Sequence, residues 1–95
     1  MLKSSKSNLA KLEQIFREQD YVIRYEKGNF QSGYCIVEDR KIAVINRFFD
    51  TEGRINCLLD ILSLIVVMED KLSEKSLTFF KHVLKSQEYQ EGLVA

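Results

Sequence analysis

The 95-residue chain has no proline, no tryptophan, one histidine, two cysteines and no excess of either charge. Each shortage removes something. Without proline, and with only four glycines, there is no linker or low-complexity segment. At this length one domain over residues 1–95 is the natural organisation, with 1–7 and 88–95 expected as frayed tails. Fourteen Lys and Arg balance fourteen Asp and Glu, so the basic excess typical of nucleic-acid binders is missing. A nucleic-acid- or ribosome-associated role would need folding to gather Arg24, Lys27, Arg40, Lys41, Arg47 and Arg54 on one face.

Cys35 and Cys57 are far apart and form no CxxC pair, so both read as free, buried thiols. His82 sits between Lys81 and Val83 and reads as a helix-surface residue. No catalytic residue, metal ligand or cofactor site is identifiable. The N-terminal MLKSSKSNLAKLEQIF is polar where a secretory signal would be apolar. The expectation is a cytoplasmic protein with no cofactor, no metal and no membrane association.

What is present argues for a packed domain: 45% apolar and 29% charged residues exclude disorder. Leu9, Leu12, Ile15 and Phe16 recur at helical spacing, predicting a helix to about Gln19 capped by Ser7 or Asn8. Tyr21, Ile23 and Tyr25 then alternate with Val22, Arg24 and Glu26, the period of a half-buried strand. Residues 34–37 and 42–46 predict two further strands, joined by a tight turn at 38–41. The third, Ile42-Ala-Val-Ile-Asn46, is apolar on both faces and needs cover on both. Short connections predict a three-stranded antiparallel meander. A helix over 52–68 follows, capped by Asp50 or Thr51. Ser73 can cap a last helix with the stripe Leu77, Phe80, Val83 and Leu84, which Gly92 ends or follows. The fold class is α+β, in the order αβββαα, with the sheet packed against helices.

The helix over 52–68 carries one thin polar stripe of Glu52, Asn56, Asp60 and Ser63. The remaining arc, about 240° wide, is roughly twice what one-sided packing requires. Fully burying one Leu or Ile contributes about 1.5–3 kcal/mol, so Ile55, Leu58, Leu59, Ile61, Leu62 and Ile65 must form either the core of one chain or a homodimer interface. Asp60 lies on the solvent stripe, or is buried beside Arg54, Arg47 or Arg24 as part of a ligand site with Asn46 and Asn56.

Residues 28–33 contain two glycines but join two strands and lack GKS/T, so they are not a phosphate loop. Arg24, Tyr25, Lys27, Phe30 and Tyr34 could instead present aromatic and basic groups together, a mixture suited to protein contacts or to stacking single-stranded RNA.

Lys41-Ile-Ala-Val-Ile-Asn46, a short acidic link and a capped helix with Leu58-Leu59 resemble the core of ImmA/IrrE-type metallopeptidases. The family's HExxH falls on Asp60-Ile61-Leu62-Ser63-Leu64, where both zinc histidines and the general-base glutamate are absent. The resemblance implies the scaffold without its metal chemistry. As a whole the chain resembles small bacterial proteins of no established activity. The functional expectation is a protein-interaction or adaptor domain without catalysis, working through a protein partner or self-association.

Overall fold

The computed structural model of the chain describes residues 2–27 and 34–94. Its elements are α1 (Lys6–Glu18), β1 (Val22–Glu26), β2 (Tyr34–Val37), a 3-10 turn (Glu38–Arg40), β3 (Ile42–Asn46), α2 (Thr51–Leu64), a second 3-10 turn (Glu69–Lys71) and α3 (Glu74–Val94).

α1 begins earlier than its periodicity suggests. Ser5 is the cap, and its hydroxyl oxygen accepts the Asn8 N–H at 3.1 Å. The segment before it is tied down as well. The Asn8 amide donates to the Lys3 carbonyl at 2.9 Å, and Leu2 packs against the core. Leu9, Leu12, Ile15 and Phe16 are buried, as their spacing requires. Asp20 ends the helix with φ 66°, a left-handed turn that a short polar side chain tolerates.

The sheet corrects the meander. Its strand order is β1-β3-β2. β3 pairs antiparallel with β2 and parallel with β1, from Val22 opposite Ile42 to Glu26 opposite Asn46. The physical reason lies in β3 itself. It is the most apolar strand, and the central position gives it a hydrogen-bonded neighbour on each side. Ala43 and Ile45 are fully buried beneath the helices, while Ile42 and Val44 on the other face are half-buried. The β2–β3 corner is a 3-10 turn closed by Lys41 at φ 52°.

α2 supplies the centre of the core. Ile55, Leu58 and Ile61 are buried against α1 and β3, with Cys57 and Leu62 beside them. Asp50 caps it, accepting the Gly53 N–H at 2.8 Å. Gly53 makes room for the Phe49 side chain: a Cβ there would lie 3.0–3.2 Å from it, so the ring would have to shift by a few tenths of an ångström.

The helix stops at Leu64 rather than Met68, for two reasons. Ile65-Val66-Val67 is a β-branched run, which loses rotamer freedom in a helix. Met68 is also held in extended form: its N–H donates to Gln19 Oε1 at 2.6 Å, and Gln19 Nε2 donates to its carbonyl at 3.0 Å. α3 starts as expected, with Ser76 N–H donating to Ser73 Oγ at 3.2 Å. Phe80 and Val83 are buried, Leu77 is half-buried and Leu84 is exposed. The helix continues through Gly92, which does not end it. Among the described residues no helix is long and apolar enough to cross a membrane.

Candidate functional site

Strand alternation divides the sheet into two faces. Ile23, Tyr25, Ile36, Ala43 and Ile45 point to the helices and belong to the core or pack on it. Val22, Ile42 and Val37 point the other way, and the register aligns them in one row across all three strands. Val22 is 54% and Val37 38% exposed. At the end of the sheet where β1 and β3 begin, the chain leaving α2 adds Leu64, Val66 and Met68, all exposed, with Val66 at 82%. They border a shallow cleft of about 430 Å³ that also includes Tyr21, Lys41 and Lys71. Tyr21 and Lys41 immediately precede Val22 and Ile42, so the cleft and the apolar row meet at one end of the sheet. Clustered exposed apolar side chains, unlike scattered ones, mark contact surfaces. The rim is charged: Lys71 pairs with Asp20 at 3.1 Å.

A second depression, about 1150 Å³ and widely open, runs between α1 and α3. It holds Phe79, with Lys11 Nζ 5.5 Å above the ring, and His82. Glu18 at its edge joins the two helices. Its carboxylate accepts the Ser73 N–H at 2.7 Å, the Ser76 hydroxyl at 3.0 Å, the Ser73 hydroxyl at 3.2 Å and the Gln14 amide at 2.9 Å. Burial alone would raise its pKa, but these hydrogen bonds prevail and hold it below the ordinary value.

Among the described residues of the contact set read from the sequence, Arg24 and Tyr25 fall on opposite faces of the sheet. Arg24 is on the outer face, ion-paired with Glu26 at 2.8 Å. Tyr25 is on the inner face. Its hydroxyl donates to Glu13, and the Arg54 guanidinium lies 4.4 Å from its ring centre. Burial first, and then the Glu13 hydrogen bond, push the Tyr25 hydroxyl well above its usual pKa. Lys27 is exposed at the end of β1. Tyr34 pairs through its backbone with Ile45, and Phe30 lies outside the described residues.

The six bases separate as well. Lys27, Arg47 and Arg54 are at the end where β1 and β3 finish, while Arg40 and Lys41 are at the other end. Lys41 and Arg47 flank β3, six residue steps or about 20 Å apart. Arg54 is committed internally, donating to the Phe49 carbonyl at 3.0 Å and the Arg47 carbonyl at 2.8 Å.

On α2, Asn56, Asp60 and Ser63 are all exposed, with Glu52. Ser63 Oγ donates to the Asp60 carbonyl at 2.6 Å. Asp60 therefore occupies the solvent stripe and not a buried pocket with a basic partner. Of the proposed core or dimer positions, Ile55, Leu58, Ile61 and Leu62 are buried within one chain, and Leu59 and Ile65 are partly buried against the same core. Burial, and then the Asp60 charge, raise the Cys57 thiol's pKa, which favours the thiol over the nucleophilic thiolate. In the segment aligned with HExxH, Asp60, Ser63 and Leu64 are exposed and Ile61 and Leu62 buried. Among the described residues no group of three His, Cys, Asp or Glu is placed to hold a metal ion.

The sequence reading missed Val22, Val37 and Val66 as surface residues. The signal for Val22 is the period-two pattern, which puts it on the face opposite the half-buried Tyr21, Ile23 and Tyr25. Gln19, buried at 3%, had none. No protein-family model, no curated protein and no solved structure matches this chain.

Proposed function

We propose that this chain is a protein-interaction domain that acts by presenting a surface, without catalysis. One observation carries the reading. The helices cover one face of the sheet, the other face carries the apolar row Val22–Ile42–Val37, and at the end of the sheet where β1 and β3 begin exposed Leu64, Val66 and Met68 border a cleft with Tyr21 and Lys41, the residues that precede Val22 and Ile42. A partner with a complementary apolar patch would remove these side chains from water at about 25 cal/mol per Å² buried. The charged rim of Lys41, Lys71 and Asp20 would set orientation more than affinity. The solvent position of Asp60 argues against the small-ligand alternative, and the separation of the bases argues against the nucleic-acid one.

The test is co-purification from the native host with wild-type protein and with a Val22→Glu/Val66→Glu variant. Both positions are more than half exposed, so the fold is retained, as circular dichroism and thermal melting would show. The expected outcome is a partner captured by the wild type and lost by the variant. Equal capture by both, or salt-dependent RNA binding as the only association, would refute the reading.

A further inference from the structure

β1 is the outermost strand on one side of the sheet. Its hydrogen bonds show which way its backbone faces. Val22 N–H donates to the Lys41 carbonyl at 2.8 Å, and the Glu26 carbonyl accepts from Arg47 N–H at 3.1 Å. In a parallel ladder the N–H and C=O of one residue point to the same side, and the side alternates along the strand. Val22, Arg24 and Glu26 therefore address β3, and the N–H and C=O groups of Ile23 and Tyr25 are directed at the other edge, which no strand among the described residues pairs with. On the outer face Arg24 and Glu26, two residues apart and oppositely charged, have side chains 56% and 45% exposed.

We propose that a second copy of the chain pairs with this edge, antiparallel, about a two-fold axis through Tyr25. The charges select both the occupant and the register. The outward-facing groups of Ile23 and Tyr25 allow three symmetric or near-central registers. An axis through Arg24 sets Arg24 against its own copy, and like charges directly opposite are unfavourable. An axis through Ile23 sets Arg24 against Val22. An axis through Tyr25 sets Arg24 of each chain against Glu26 of the other, twice, while the two Tyr25 backbones exchange both their hydrogen bonds. An Arg-x-Glu triplet is its own complement under reversal, so the same strand in a second copy fits it. The product is one six-stranded sheet, β2-β3-β1-β1-β3-β2, with both copies' apolar outer rows on a common face and the β1 edges closed. This goes beyond the partner-binding reading and stands on different atoms.

The test is sedimentation velocity on the full chain from micromolar to millimolar concentration, with wild type, Arg24→Glu, Glu26→Arg and the double swap Arg24→Glu/Glu26→Arg. Wild type is expected to dimerise. Each single reversal sets two like-charged pairs across the axis and weakens the dimer by about tenfold or more. The double swap restores it, and so does mixing the two single variants, which form a heterodimer of complementary strands. Since both side chains are exposed, circular dichroism is expected to be unchanged, and the double swap preserves composition as a control. A wild type that stays monomeric, a dimer indifferent to both reversals, or single variants that do not rescue each other would each overturn the strand pairing. A monomeric wild type that still loses its partner on Val22→Glu/Val66→Glu would overturn this pairing alone.

Discussion

Replacing Gln19 by alanine tests how the chain is held after α2. The Gln19 side chain is 3% exposed and makes two hydrogen bonds to one residue 49 positions away, accepting from Met68 N–H at 2.6 Å and donating to its carbonyl at 3.0 Å. Each is worth about 0.5–1.5 kcal/mol net. Releasing an ordered glutamine side chain returns up to about 1.5–2 kcal/mol of rotamer entropy at most. Met68 is 49% exposed, so water can satisfy its freed backbone groups, which keeps the loss toward the low end. The expected cost is about 1–2 kcal/mol, or a fall of about 4–15 °C in Tm for a domain of this size.

Urea denaturation should show a lower midpoint with unchanged slope, because the core is untouched. Amide hydrogen exchange should show Met68 losing protection before the α2 amides do. Gln19→Glu sharpens the assay: an ionised carboxylate keeps the acceptor for Met68 N–H but has no donor for its carbonyl. That variant should match alanine or be worse at neutral pH and recover partly in acid, where the carboxyl is protonated and can donate. A Gln19→Ala protein within about 0.3 kcal/mol of wild type, with Met68 exchange unchanged, would refute this account of the extended 65–68 segment.

The Glu18 carboxyl has a folded pKa below its ordinary value of 4.5, so its contribution to stability is complete above the ordinary value and is lost as pH falls through the lowered one. Glu18→Gln should therefore flatten the acid limb of a plot of urea midpoint against pH; an acid limb identical to wild type would contradict the four-bond geometry. Lys41 adopts a left-handed backbone at φ 52°, a conformation that costs an L-residue roughly 1 kcal/mol or more. Lys41→Gly should hold stability or raise it by about 0.5 kcal/mol after the added unfolded-state entropy, whereas the β-branched Lys41→Val should lower it by about 1–2 kcal/mol. Thermal melts that rank valine above glycine would show that the β2–β3 corner is built differently.

Much of the fold was legible because local chemistry settles it. The spacing of Leu9, Leu12, Ile15 and Phe16, the alternation of Tyr21, Ile23 and Tyr25, and the caps at Asp50 and Ser73 each act within a few residues. What escaped depends on distant partners. Nothing in a short connection says that β3 must lie between β1 and β2; only the two-sided apolar character of Ile42–Asn46 hinted at a central strand. The apolar pattern ran on through Ile65, Val66 and Val67 because such residues suit a helix face or an extended segment alike, and the deciding contact comes from Gln19. The candidate site was less legible. Arg24 and Tyr25 were grouped by closeness in sequence, although strand alternation separates neighbours onto opposite faces. The outer row needs a cross-strand register that composition does not contain.

The parallel β1–β3 pairing also sets a sequence of events. It joins residues twenty positions apart, Val22 with Ile42 through Glu26 with Asn46, whereas the β2–β3 hairpin closes over a few residues around the 38–40 turn. Loop-closure entropy favours the hairpin first. During synthesis α1 and β1 emerge from the ribosome with no strand to bind until β3 follows them out. For that interval β1 is bare on both edges, and the strand that fits its Arg24–Glu26 pair by reversal is the β1 of a neighbouring copy on the same polysome, until β3 emerges and takes one edge.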